Sequence, residues 1–206
     1  MKKICGLQAY YRIIITDKTG KVVWKSNKRK SKSFVKQWLQ LIEALFAHIN
    51  GVAAATVTIK DTSNSNESVA ANGTNLSWNN LSLLGPAAQI LYGIVVGTGT
   101  NAPASTDIAL QTIIGNGTGE GQLTYGAQTY TPATIVGANI DLVFTRAMTN
   151  GSGGSITANE IGFYLNNVNT AGTQKYFCII RDKLETPITV DDTKTLTIQY
   201  TLETTV

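Results

Sequence analysis

The sequence predicts a mainly β fold, an antiparallel β-sandwich of jelly-roll type carrying one long N-terminal helix. Three observations predict it. The last sixty residues alternate short apolar, β-favouring runs with Gly/Asn/Ser or Asp-rich turns and show no helical period. Leu196-Thr197-Ile198-Gln199-Tyr200-Thr201-Leu202 is a strict alternation of large apolar and polar residues, the period of a strand with one buried face. A single broad apolar stripe at helical spacing occurs, near the N-terminus.

The elements follow in order. Tyr10–Thr16 and Val22–Lys25 are β-rich, and Asp17-Lys18-Thr19-Gly20 between them supplies turn residues, so the chain opens with a hairpin. A helix is predicted from Ser33 to Ile49, capped by Ser31 or Ser33 and stopped by Asn50-Gly51. Its apolar arc includes Phe34, Val35, Trp38, Leu39, Leu41, Ile42 and Leu45, wide enough for one side to meet the sheet and the other a second subunit. Thr56–Lys60 is a short strand, and Asp61–Asn80 is polar and reads as a projecting loop or arm. Ile90–Val96 is a core strand. Pro103 with Ser105, Thr106 or Asp107 introduces a brief helix through Leu110, and Gly115–Gly121 is an irregular link. Strands over Gln122–Thr131 and Ala138–Met148 lead into Glu160–Leu165, Tyr176–Arg181 and the closing strand. The organisation is therefore a hairpin and helix over residues 1–60, an arm over 61–80 and a β core over 81–206, together one domain.

Composition narrows the function. Of the 206 residues, 43% are hydrophobic and 15% charged, which fits a globular chain and excludes a mostly disordered one. The net charge of +4 is local: Lys25, Lys28, Arg29, Lys30, Lys32 and Lys36 crowd residues 25–36. Without an aromatic platform or base-reading motif this run is read as a solvated or protein-contacting loop, and nucleic acid is not the expected partner. Lys28, Arg29, Lys30 and Lys32, with Trp38 on the helix, are the candidate interaction residues. Gln8 and Arg12 interrupt what would be a signal-peptide core after Met1-Lys2-Lys3, and no apolar run reaches the roughly 20 residues of a membrane helix. Cys5 and Cys178 lack zinc or redox spacing, so both are expected as free thiols.

No catalytic constellation emerges. Gly97-Thr98-Gly99-Thr100-Asn101-Ala102 fits a dinucleotide pattern, but Pro103 and a turn stand where the helix N-terminus should be, so the glycines are assigned to a tight crossover. His48 is the sole histidine and is read as a structural residue or a cation near the helix end. Neither a cofactor nor a metal is expected. Arg146, Glu160 and Arg181 lie in or beside otherwise apolar β runs, where a charge is costly unless paired. Glu160 is expected to bridge to Arg146 or Arg181 across strands or a subunit interface; the alternative is three separate solvent-facing side chains.

Several strings are familiar. Val95-Val96-Gly97-Thr98-Gly99-Thr100 with Pro103 and Asp107, then Gly121–Gly126, Phe144-Thr145-Arg146 and Asn159–Tyr164 are four of them. Arg181-Asp182 with Pro187–Val190 and the closing Leu196–Tyr200 complete the set. Together, over roughly residues 90 to 202, they resemble small virion structural proteins of tailed bacteriophages and related viruses, of the capsid-decoration, head–tail or tail-appendage kind. The resemblance implies a non-enzymatic subunit, assembled in the host cytoplasm into the virion, whose partners are itself and neighbouring capsid or tail subunits. The alternative is a tail-associated carbohydrate- or receptor-binding module, with Trp24, Trp78 and tyrosines as stacking platforms. A third reading, a glycan hydrolase, would need two carboxylates in one cleft, for which Glu120 and Asp141 are the nearest candidates.

Overall fold

A computed structural model describes residues 7–31, 34–46, 57–69 and 82–205, with side chains omitted at 43–46 and 205. It is mainly β. The strands are β1 (Leu7–Thr16), β2 (Val22–Lys25), β3 (Arg29–Lys30), β4 (Val57–Lys60), β5 (Asn66–Val69), β6 (Gly93–Gly97) and β7 (Thr124–Tyr125). They continue as β8 (Thr129–Val136), β9 (Asn139–Thr149), β10 (Ile156–Val168), β11 (Gln174–Val190) and β12 (Thr195–Thr205), and the described residues hold one helix, α1 (Lys36–Phe46).

All strand pairs are antiparallel. The largest sheet runs β2-β1-β12-β9-β7, with β3 also on β1 and β8 also on β9; a second runs β11-β10-β6, and β4 pairs β5 separately. Alternation decides the faces of the large sheet. Ala9, Tyr11, Ile13 and Ile15 of β1 lie opposite Leu202, Tyr200, Ile198 and Leu196 of β12, and all eight are buried. Next across, Tyr200 faces Phe144 and Leu196 faces Met148 of β9. The two larger sheets meet through aromatic rings: Phe163 of β10 stacks on Tyr200 at 5.3 Å and meets the edge of Phe144 at 5.1 Å.

Four expectations are corrected. The helix is 11 residues long, not the long helix expected over 33–49, and residues 32–33 and 47–56 lie outside the described chain. Within the helix Leu39 is 69% exposed, as an arc facing the sheet on one side only requires, while the polar Gln37 is buried. The expected arm begins instead as a turn and a strand: Asp61 Oδ1 accepts the N–H groups of Ser63 and Ser65, and Asn66–Val69 then pairs with β4. Residues 70–81 lie outside the described chain. The brief helix after Pro103 is absent. The Leu110 N–H donates to the Tyr164 hydroxyl, and those of Gln111 and Thr112 donate to the Glu160 carboxylate, so donors that would have propagated a helix serve side chains of β10.

Gln122–Thr131 likewise divides into β7 and β8. Between them the Gly126 carbonyl accepts from Arg146, and the Gln128 amide bridges the Ile94 N–H and the Leu83 carbonyl.

Candidate functional site

The chemistry-bearing residues singled out in the sequence collect at two interior nodes and on the flanks of the large sheet. The first node is Glu160 of β10, which is 0% exposed. Its neighbour Arg181 sits on β11 opposite Gly162, one diagonal step from Glu160 on the same face. Arg181 Nε donates to Glu160 Oε2 at 2.9 Å, its Nη1 reaches Asp107 Oδ2 at 2.7 Å, and its Nη2 donates to the Asn101 carbonyl at 3.2 Å. Three backbone N–H groups complete the carboxylate: Gly99 and Thr112 donate to Oε1 at 3.1 and 3.0 Å, Gln111 to Oε2 at 3.3 Å. Burial alone would make the guanidinium easier to deprotonate, but the hydrogen bonds and charges of Asp107 and Glu160 outweigh it and hold Arg181 above its ordinary range.

The glycine pair of the apparent dinucleotide motif belongs to this node. A Cβ on Gly99 would stand 2.3 Å from Glu160 Oε1, and one on Gly97 would stand 2.4 Å from the Thr112 carbonyl and 2.7 Å from the same carboxylate oxygen. These glycines let the backbone close around a buried carboxylate of the protein itself.

Arg146 does something different from what its sequence position suggests. It does not join Glu160. It lies opposite Ile198 on the inward face of β9, 0% exposed, and its five N–H donors go to five carbonyls. Nε donates to Gly126 at 2.9 Å, Nη1 to Ile94 and Tyr92 at 2.9 and 3.4 Å, and Nη2 to Pro86 and Gln89 at 2.8 and 2.6 Å. The guanidinium lies over the Tyr125 ring, 4.9 Å from its centroid. Burial lowers the proton affinity of Arg146 and pushes the Tyr125 hydroxyl up to about 12. A glycine again makes room: a Cβ on Gly85 would meet the Tyr92 carbonyl at 2.5 Å and Nη1 at 3.0 Å. Arg146 thus draws the 85–94 segment onto the core. The alternative of three solvent-facing charges does not hold, since Arg146, Glu160 and Arg181 are all buried.

Two cations of the basic run, Lys28 and Arg29, are paired within the chain. Lys28 bridges Glu203 at 2.6 Å and Asp141 at 3.6 Å and lies over the Tyr10 ring, while Arg29 bridges Glu185 at 3.1 Å. Lys30 is exposed on β3, and Lys32 lies outside the described residues, as do Cys5, His48 and Trp78. Trp38 is half-buried and stacks on Phe34 at 5.9 Å. Asp141, one of the two acids weighed for hydrolysis, is thereby tied to a lysine, and Glu120 is exposed on a turn. Cys178 is a free, fully buried thiol, pushed up by desolvation. Among the described residues there is no cluster of three His, Cys, Asp or Glu side chains able to hold a metal, and no helix long and apolar enough to cross a membrane.

On the flanks, sequence reasoning named Trp24 as a stacking platform but missed the apolar residues around it and those of β8. The large sheet exposes apolar side chains on β2 at one side (Val22, Val23 and Trp24) and on β8 at the other, where Tyr130, Val136 and Ile135 are exposed, the last at 80%. The sign was present in Thr134-Ile135-Val136, an apolar pair on a strand with no buried residue. The interior nodes can hold backbone in place but offer a substrate little, since both Glu160 oxygens and all five Arg146 donors are occupied. Comparison with protein-family models, with curated proteins and with solved structures finds no match for this chain.

Proposed function

We propose that the protein is a non-enzymatic virion structural subunit that self-associates or binds neighbouring capsid or tail subunits. The observation that carries this reading is the exposure of Val22, Val23 and Trp24 on β2 together with Tyr130, Ile135 and Val136 on β8, on the two flanks of one sheet. Exposed apolar groups gathered on a rigid body mark a protein-contact surface. Two different patches on opposite flanks suit head-to-tail contacts, which close into rings when the rotation permits. A stable contact needs about 1,200–2,000 Å² of total buried surface, a minor share of the 10754 Å² that the chain exposes.

The finer architecture fits the same reading. β10 pairs β11 inside a second pairing of β9 with β12, a nested arrangement in keeping with a sandwich of jelly-roll type. Pro132 and the register shift between Thr131 and Thr134 keep β8 from serving as an open ladder, so contact through its side chains is favoured over strand addition. The phage-like strings of residues 90–202 supply the virion context, with assembly in the host cytoplasm. Electron microscopy of the purified protein tests the reading: rings or other closed assemblies are expected, and a field of monomers would count against it. The receptor-binding alternative is favoured by one feature, a polar cleft beside α1.

A further inference from the structure

A cleft of about 430 Å³ opens between the first turns of α1, the β4–β5 hairpin and the segment around Thr106, a volume in the range of small-molecule sites. Lys36, Gln37, Gln40, Thr58, Lys60 and Thr106 furnish most of its polar groups, and among the described residues no carboxylate lines it. Two acids that adjoin lining residues in sequence, Asp61 and Asp107, serve other partners. Asp61 Oδ1 accepts from Ser63 and Ser65, and Asp107 Oδ2 from Arg181 and Ala104. The first turn of α1 carries no acidic residue either, so its partial positive end adds to the two ammonium groups.

Two of the lining side chains are anomalous. Gln37 is only 1% exposed, and its Oε1 is buried without a hydrogen-bond partner. Gln40 Oε1 is buried and unpartnered too, and its orientation is set by Nε2 donating to the Thr58 carbonyl at 3.3 Å. A buried acceptor left unsatisfied costs about 1–3 kcal/mol. An apolar residue at 37 would have extended the packing of Val35 and Leu41 without that cost. Both side chains line the cleft while both oxygens are closed to solvent, so each can take a partner from outside the chain once its amide turns toward the cleft. Amide oxygens call for hydroxyl donors, while Lys36 and Lys60, the latter's Nζ meeting only the neutral Asn64 Oδ1 at 2.6 Å among the described residues, call for an anionic acceptor.

We infer that this cleft binds an anionic polyol, a sugar acid or a phosphorylated sugar or polyol, with hydroxyls on Gln37 and Gln40 and the acidic group between Lys36 and Lys60. The inference goes beyond the assembly reading and does not rest on it, since a monomer would carry the same cleft.

The test is titration of the full chain with glucuronate, glycerol 3-phosphate, glucose and inorganic phosphate, followed by calorimetry. Glucuronate or glycerol 3-phosphate is expected to bind at least about tenfold more tightly than glucose or phosphate. Whichever binds more tightly identifies the acidic group as carboxylate or phosphate. Lys36→Ala with Lys60→Ala, and separately Gln37→Met, should each weaken that binding by about tenfold or more. Gln37→Met should also melt at or above the wild-type temperature, because it deletes an unsatisfied acceptor. Failure of both polyol anions to bind, equal binding of glucose or phosphate, or binding unchanged in the variants would overturn the inference. So would a lower melting temperature for Gln37→Met, which would place a partner on that amide in the free protein.

Discussion

Glu160 and Arg181 meet at 2.9 Å on adjacent strands, both buried, and between them they collect the backbone of residues 99–112. A buried pair of this kind adds little net stability over an apolar substitute, but removing one partner strands the other charge. Glu160→Ala is therefore expected to cost about 3–5 kcal/mol in urea unfolding. The double variant Glu160→Ala with Arg181→Ala should cost clearly less than the two single losses added together. Strict additivity would show that the two groups are not coupled.

The glycine motif gives a sharper test of what the node is for. Gly99→Ala forces a methyl against the Glu160 carboxylate and should destabilise by about 1–3 kcal/mol, as overpacking does. Gly115→Ala meets Gln122 only at 3.7 Å, ordinary van der Waals contact, and should be close to neutral. Equal melting temperatures for the two variants would dissociate Gly99 from the carboxylate.

Arg146→Lys should behave as a severe change despite keeping the charge. An ammonium offers three donors in a compact group where a planar fork now reaches five carbonyls. The expected loss is about 2–4 kcal/mol, from carbonyls left unpaired at roughly 1 kcal/mol or more each. Hydrogen exchange should rise selectively across residues 85–94. Wild-type protection there would contradict the cage.

The β4–β5 hairpin carries an acid-sensitive latch. Lys175 donates to Glu67 at 2.5 Å and Asn169 adds a hydrogen bond at 2.7 Å, and these hold the Glu67 carboxyl below its ordinary range. The unfolded chain binds this proton more readily than the folded one, so stability falls as pH drops. The contribution is fully present above the unfolded glutamate value of about 4.3 and disappears as pH falls through the lower folded value. Thermal melts between neutral and acid pH should show this decline. Glu67→Gln should flatten it; an unchanged acid limb in that variant would assign the loss to other carboxylates.

Much of the architecture was legible because alternation reports burial directly. β12 could be read from its period, β1 from its β-favouring residues and Asp17–Gly20 from turn chemistry, since local sequence decides all three. The segment after Pro103 was misread as helix because its start signals are local, whereas the acceptors that redirect its amides, Tyr164 and Glu160, lie some fifty residues on. For Arg146 the sequence showed a costly charge in a strand but not its partners. Those are backbone carbonyls, which every residue possesses and no side-chain pattern reveals. The arm was read from polarity alone, and Asn66–Val69 became a strand because Glu67 and Val69 turn inward while Ser68 faces out.

The assembly claim is tested most directly by light scattering of the wild-type protein beside a Val23→Lys, Ile135→Lys double variant. Both positions are exposed, so the fold should survive, and circular dichroism should match. The wild-type mass should be a multiple of the chain, and the variant should fall to the monomer. A wild type already monomeric at high concentration, or a variant that assembles as before, would contradict it.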